Sequence, residues 1–152
     1  MQLKEDHSLR IVVPNYLLDT SAVSRLLNEK ADKGLTEKIK YTIATGKEIF
    51  ISGVTYFEIK RGLISINSFK KLEKFNDFCN MLTLLLLDNK FIFDEAALIY
   101  KSLRLSGKLI NDADILIAAT AKYYELTLIS DDKDFERIEN IKVIKTKDWL
   151  NH

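Results

Sequence analysis

Short apolar runs alternate with helix-period segments along nearly the whole chain, and that alternation limits the fold more than any other feature. The runs are Tyr16–Asp19, Ile49–Ser52, Thr83–Leu87, Leu126–Ser130 and Lys142–Ile144. Between them the spacing predicts a helix from a cap at Thr20 or Ser21 to Asn28, then helices over Leu35–Thr45, Val54–Leu63, Phe69–Met81 and Asp94–Leu105. A further helix runs from a cap at Asn111 or Asp112 to Tyr124, and Gly46 and Gly107 are plausible stops. Phe135–Ile138 reads as a helical turn and Thr146–Leu150 as a closing one. Thr83–Leu87 reads as a buried strand, and Leu9–Val13 as a short extra strand or part of a tail. Strands alternating with helices predict an α/β fold: a central, mostly parallel, twisted sheet of 4–5 strands with helices on both faces.

Four separated carboxylates stand in this apolar framework: Asp19, Glu58, Asp114 and Asp132. Each lies at a strand end or on a helix that otherwise reads as core, where a carboxylate costs stability unless it is paired, hydrogen-bonded or bound to a cation. Open parallel sheets bind ligands beyond the carboxyl ends of their strands, which is where Asp19 and Asp132 fall. If the acids converge, two charges ~4 Å apart repel by roughly 4 kcal/mol at an effective dielectric near 20, and a divalent cation resolves that repulsion. Taken one at a time, each acid also has an ordinary reading. Asp19 suits the N-cap of the next helix. Glu58 sits beside Lys60 and Arg61 and suits a surface ion pair. Asp112 and Asp114 suit a helix N-terminus, and Asp131, Asp132 and Asp134 a solvated turn.

Composition narrows the chemistry. The single cysteine, Cys79, excludes an internal disulfide and a cysteine zinc cluster, and it suits a reducing cytoplasm. The only histidines are His7 and His152, near the chain ends, so acid–base catalysis by paired histidines is not expected. The five glycines form neither a phosphate-binding loop nor a dinucleotide fingerprint. Any metal must therefore be a hard cation held by oxygen, Mg²⁺ or Mn²⁺ before zinc. No run reaches the ~20 apolar residues of a membrane span, and Met1–His7 does not resemble a signal peptide. A net charge of +1 gives no global sign of nucleic-acid binding.

The order and setting of the acids resemble the PIN-domain nucleases, and most closely the VapC-type toxins of toxin–antitoxin systems. The resemblance runs from Tyr16 to about Ile144. It rests on Leu-Leu-Asp-Thr-Ser at 17–21, Ser-Gly-Val-Thr-Tyr-Phe-Glu-Ile-Lys-Arg-Gly at 52–62, Asn-Asp-Ala-Asp-Ile-Leu-Ile-Ala-Ala-Thr-Ala at 111–121 and Leu-Thr-Leu-Ile-Ser-Asp-Asp-Lys-Asp-Phe at 126–135. It places residues 1–15 as an N-terminal extension and residues 16–152 as the PIN domain. It carries the family's four acids onto Asp19, Glu58, Asp114 and Asp132, with Asp131 a near rival for the fourth. Ser21, Asp112 and Asp131 become accessory residues.

The resemblance implies a Mg²⁺- or Mn²⁺-dependent endoribonuclease that cuts transfer RNA or another structured RNA. Asp19 and Asp114 would ligate the cation, while Glu58 and Asp132 would hold its waters or a second ion. Arg25, Lys60, Arg61, Lys108 and Lys133 are the candidates for offsetting RNA charge. Also implied are a VapB-like antitoxin and a homodimer, with the helices around Tyr56-Phe57 and Phe69–Phe78 as candidate contact surfaces. The alternatives are a non-cleaving PIN-like module that binds RNA or protein, and a housekeeping RNA-processing nuclease. A phospho-acceptor domain expects an acidic pair after its first strand, and the only Asp-Asp pair here comes late.

Overall fold

The computed structural model describes residues 14–28 and 33–152. The expected extra strand at Leu9–Val13 lies outside the described residues. Five strands form one sheet in the order β3-β2-β1-β4-β5, with every adjacent pair parallel. The strands are β1 (Tyr16–Leu18), β2 (Ile49–Ser52), β3 (Thr83–Leu85), β4 (Thr127–Ile129) and β5 (Val143–Ile144). The helices between them are α1 (Thr20–Leu26), α2 (Lys33–Ala44), α3 (Gly53–Ser65), α4 (Phe69–Met81), α5 (Lys90–Leu105), α6 (Asp112–Tyr123) and α7 (Thr146–Leu150). A short 3₁₀ turn, Lys133–Arg137, follows β4. Among the described residues no helix is long and apolar enough to cross a membrane.

The period of two along the strands sorts their side chains into two cores. Leu18, Ile49, Ile51 and Ile129 pack on one face with Leu26, Ile39, Ile59, Phe75 and Trp149. Leu17 and Leu128 pack on the other with Ile92, Ile99, Ile115, Ile117 and Phe135. A strand covered on both faces has no polar side, so β1 and β4 read as continuous apolar runs.

Three expectations need correction. Thr83–Leu87 is not buried: β3 is an edge strand, and Leu84 and Leu86 are exposed. An apolar composition is shared by central strands and by edges awaiting a partner, so the run alone does not separate them. Helix α5 starts at Lys90 rather than Asp94, because the Asn89 side chain accepts the Phe91 N–H and opens the helix one turn earlier. Helix α1 is capped neither by Thr20 nor by Ser21 but, as the ordinary reading of Asp19 had it, by Asp19, whose Oδ1 accepts the Ala22 N–H at 2.8 Å.

The chain leaves β1 towards β2 and β3 and returns to lay β4 against the other side of β1. The crevice between β1 and β4 is thus the switch point of the sheet, the place where such folds bind ligands. The Asp19 N–H donates to the Ile129 carbonyl at 3.2 Å and locks the two strand ends together there.

Candidate active site

Asp19 is nearly solvent-free (2% exposed) at the carboxyl end of β1. Its carboxylate accepts the Ala22 N–H, the Ser21 hydroxyl (2.7 and 2.9 Å to its two oxygens) and the Ser130 hydroxyl at 2.5 Å. Ser130 in turn accepts the Asp132 N–H at 3.0 Å, so one buried hydroxyl ties the acid after β1 to the acid after β4. Burial pushes the Asp19 carboxyl above its ordinary range, the hydrogen bonds from Ser130, Ala22 and Ser21 pull it back, and the charge of Asp132 pushes it up again.

Asp114 enters from the first turn of α6. The Asn111 side chain fixes it from both ends, accepting its N–H at 2.9 Å and donating Nδ2 to its Oδ2 at 2.7 Å. Burial first, and then the charges of Asp132, Asp19 and Glu58, raise the Asp114 carboxyl to about 6 against the opposing Asn111 hydrogen bond. The four acids taken from separate segments therefore share one electrostatic site. Glu58 reaches it from α3, held by the Thr20 hydroxyl at 2.8 Å, which also lies 3.2 Å from the Thr55 hydroxyl. Glu58 also faces Arg61 at 3.8 Å, so the ion pair expected from its neighbours exists beside the site contact.

One carboxylate oxygen from each of Asp114, Asp132 and Asp134 lies within 4.8 Å of the other two. Asp134 was not among the expected site residues. It joins because the Asp132 carboxylate accepts the Asp134 N–H at 2.9 Å, and the 3₁₀ turn this opens carries Asp134 back to the cluster. An Asp-x-Asp pair followed by a buried aromatic was the available signal. The supporting Asn111, Thr20 and Ser130 had no comparable signal, since polar residues at element ends are ordinary caps. An all-oxygen donor set with three converging carboxylates fits a hard divalent cation.

Asp131 points elsewhere. It accepts the N–H (2.9 Å) and hydroxyl (2.7 Å) of Thr146 at the start of α7, and pairs with Arg25 at 3.1 Å. Burial would raise its carboxyl, but the Thr146 hydrogen bonds and Arg25 outweigh it and hold the group below its usual range. Asp131→Asn is expected to cost about 1–2 kcal/mol at neutral pH by weakening charge-assisted bonds, with Mn²⁺ affinity unchanged. A depressed carboxyl stabilises the fold above its unfolded pKa and loses that contribution as pH falls through the lower folded value. Denaturant titrations of the two proteins should therefore converge on acidification.

The other expected positions divide. Asp112 is exposed at the head of α6, and Lys108 and Lys133 are exposed. Arg25 serves Asp131 and Thr146. Lys60 donates to Asn76 at 2.8 Å on α4.

Fold and site together define a parallel α/β protein with a cluster of acids at its switch point. The chain belongs to the PIN domain family, a family of nucleases: the family model matches residues 16–141. The structure is similar to a VapBC2 complex from Rickettsia felis bound to promoter DNA, with TM-score 0.78, 23% identity, and coverage of 86% of this chain and 97% of that one. It is similar to DNA-bound VapBC from Salmonella typhimurium (0.77, 22%, 88% and 98%) and to FitAcB from Neisseria gonorrhoeae (0.72, 24%, 87% and 98%). A search of curated protein sequences finds no match.

Proposed function

We propose that this protein is a Mg²⁺- or Mn²⁺-dependent endoribonuclease, the toxin of a VapC-type toxin–antitoxin pair. The observation that carries the reading is the convergence of Asp114, Asp132 and Asp134 at the switch point of a PIN fold, with Asp19 and Glu58 in the same field. Asp114, Asp132 and Asp19 would hold the cation, Asp134 would add a donor, and Glu58 would orient water at the rim. A bound cation supplies hydroxide near neutral pH and charge compensation for a phosphorane-like transition state.

The chain's own groups pre-position the acids. Ser21 and Ser130 fix both Asp19 oxygens, Asn111 fixes Asp114, and Thr20 fixes Glu58. Such fixed donors remove the reorganisation that flexible carboxylates would need. Among the described residues no cysteine or histidine stands in this cluster, which favours water over a thiol or an imidazole as the nucleophile. Arg61, paired with Glu58 at 3.8 Å, offsets part of the repulsion between acids and RNA.

Solved neighbours that are VapBC complexes support an antitoxin partner here, and a homodimer belongs to the same proposal. Of the surfaces expected for partner contact, half-buried Tyr56 packs on buried Phe75, whereas Phe57 and Phe69 are exposed. The exposed group is the part available to a partner.

Purified protein, freed of partner, is incubated with total RNA and a transfer-RNA pool in Mg²⁺ or Mn²⁺, in EDTA, and as Asp114→Asn. Discrete fragments in the first condition alone are expected. A folded, partner-free protein that binds RNA without cutting it would replace the nuclease with a binding module.

A further inference from the structure

Arg137 stands on the last residue of the 3₁₀ turn, against the acid cluster. One of its guanidinium nitrogens lies 3.6 Å from Asp134 Oδ1, and another donates to the Leu109 carbonyl at 3.4 Å, in the loop that leads to Asn111 and Asp114. The guanidinium thus bridges the two segments that supply three of the clustered carboxylates. Both partners of the ion pair are more than one-third exposed, and the separation is long for a charged hydrogen bond. Exposed pairs of this kind contribute little, so Arg137 is cheaply released.

Asp134 is asked to serve two cations. With no metal bound, Arg137 is its counter-charge. A divalent ion drawn by Asp114, Asp132 and Asp134 carries twice the charge and faces three carboxylates, so it takes Asp134 from the arginine. We infer that Arg137 is a cation-gated RNA-phosphate contact: held by Asp134 in the metal-free site, and turned to substrate phosphate when the metal claims that carboxylate. An arginine fork suits phosphate oxygens, and the rim of the cluster is where a phosphate must approach. RNA binding would then be linked to metal occupancy, so that a site without its ion does not engage substrate fully. This inference rests on the nuclease reading above.

The test measures two affinities in wild type, Arg137→Ala, Arg137→Gln and Arg137→Lys. Mn²⁺ binding is measured by calorimetry. Binding of a short labelled single-stranded RNA is measured by anisotropy in Ca²⁺ and in EDTA, with the probe checked for integrity. In Ca²⁺ the Ala and Gln variants are expected to bind RNA several-fold more weakly, with a salt dependence shallower by about one unit. In EDTA their deficit against wild type should be smaller, since the exposed pair with Asp134 holds the arginine back only in part. Their Mn²⁺ affinity should be equal or a few-fold tighter, because a competing positive charge is gone. Arg137→Lys should recover part of the RNA affinity. Two independent variants guard against a folding defect in either. Equal RNA affinity in Ca²⁺, equal weakening in Ca²⁺ and EDTA, or weaker Mn²⁺ binding would each overturn the gated contact while leaving the nuclease intact. Wild-type protein that binds no Mn²⁺ would overturn both.

Discussion

Asp114→Asn should abolish Mn²⁺ binding and RNA cleavage together, and should make the metal-free protein more stable at neutral pH. The two effects share one cause. The carboxyl of Asp114 is raised to about 6 by burial and then by the charges of Asp132, Asp19 and Glu58, so its ionised form is a cost to the empty site. The sign follows from proton uptake. Between the ordinary value of 3.8 and about 6 the folded state holds a proton that the unfolded state has lost, so stability falls as pH rises through that window and stays reduced above it. Asparagine keeps an acceptor for Asn111 Nδ2 and removes the charge. In EDTA the variant should gain about 1–2 kcal/mol at neutral pH, a figure reduced for solvent access to the cleft, or roughly 2–4 °C in Tm for each kcal/mol. Its stability should also vary less with pH from about 4 to 6, the remaining slope coming from the raised Asp19. Cleavage should drop by more than about 100-fold, since even groups that merely support a metal ligand are worth 10–100-fold. Denaturant melts and Mn²⁺ calorimetry on the same preparation decide the matter. An unchanged Mn²⁺ affinity would remove Asp114 from the metal site.

Why the sequence pointed to some of these residues and not others is a question of distance along the chain. The α/β order, the strand positions and the placing of Asp19 and Asp132 at one sheet edge were legible, because apolar runs precede both acids and a parallel sheet sends strand ends to one edge, whereas Glu58 and Asp114, on helices, were joined to them only by the resemblance. Within a short acidic turn that logic fails. Asp131, Asp132 and Asp134 look alike in sequence, yet Asp131 is turned to Thr146 and Arg25 while the other two face Asp114. A few backbone dihedrals in one turn make that difference, and local composition does not encode them. The same holds for Ser130, an ordinary strand-end hydroxyl until β1 and β4 are side by side. Leu84 and Leu86 failed in the opposite direction, since their apolarity reports a surface to be covered without saying by what.

Phe135→Ala should separate the stability of the fold from the stability of the site. Phe135 is fully buried in the core beneath α6, and in sequence it directly follows Asp134 in the turn capped by Asp132. Truncating it should cost about 3–5 kcal/mol, the usual toll of emptying a buried aromatic. That is a large fraction of the roughly 5–15 kcal/mol that holds a typical domain together. The anchor of the acidic turn goes with it, so Mn²⁺ affinity should fall even at temperatures where the variant remains folded. Phe75→Ala is the matched control: it is equally buried, but lies in the core on the other face, on a helix that carries no acid of the cluster. It should lose comparable stability and keep its Mn²⁺ affinity. Phe135→Leu, which fills more of the space than alanine, should cost less than Phe135→Ala and retain the site. If Phe135→Ala and Phe75→Ala weaken Mn²⁺ binding equally, the cluster depends on global rigidity. If only Phe135→Ala does so, the acidic turn is held in place by the one apolar side chain that follows its last clustered acid.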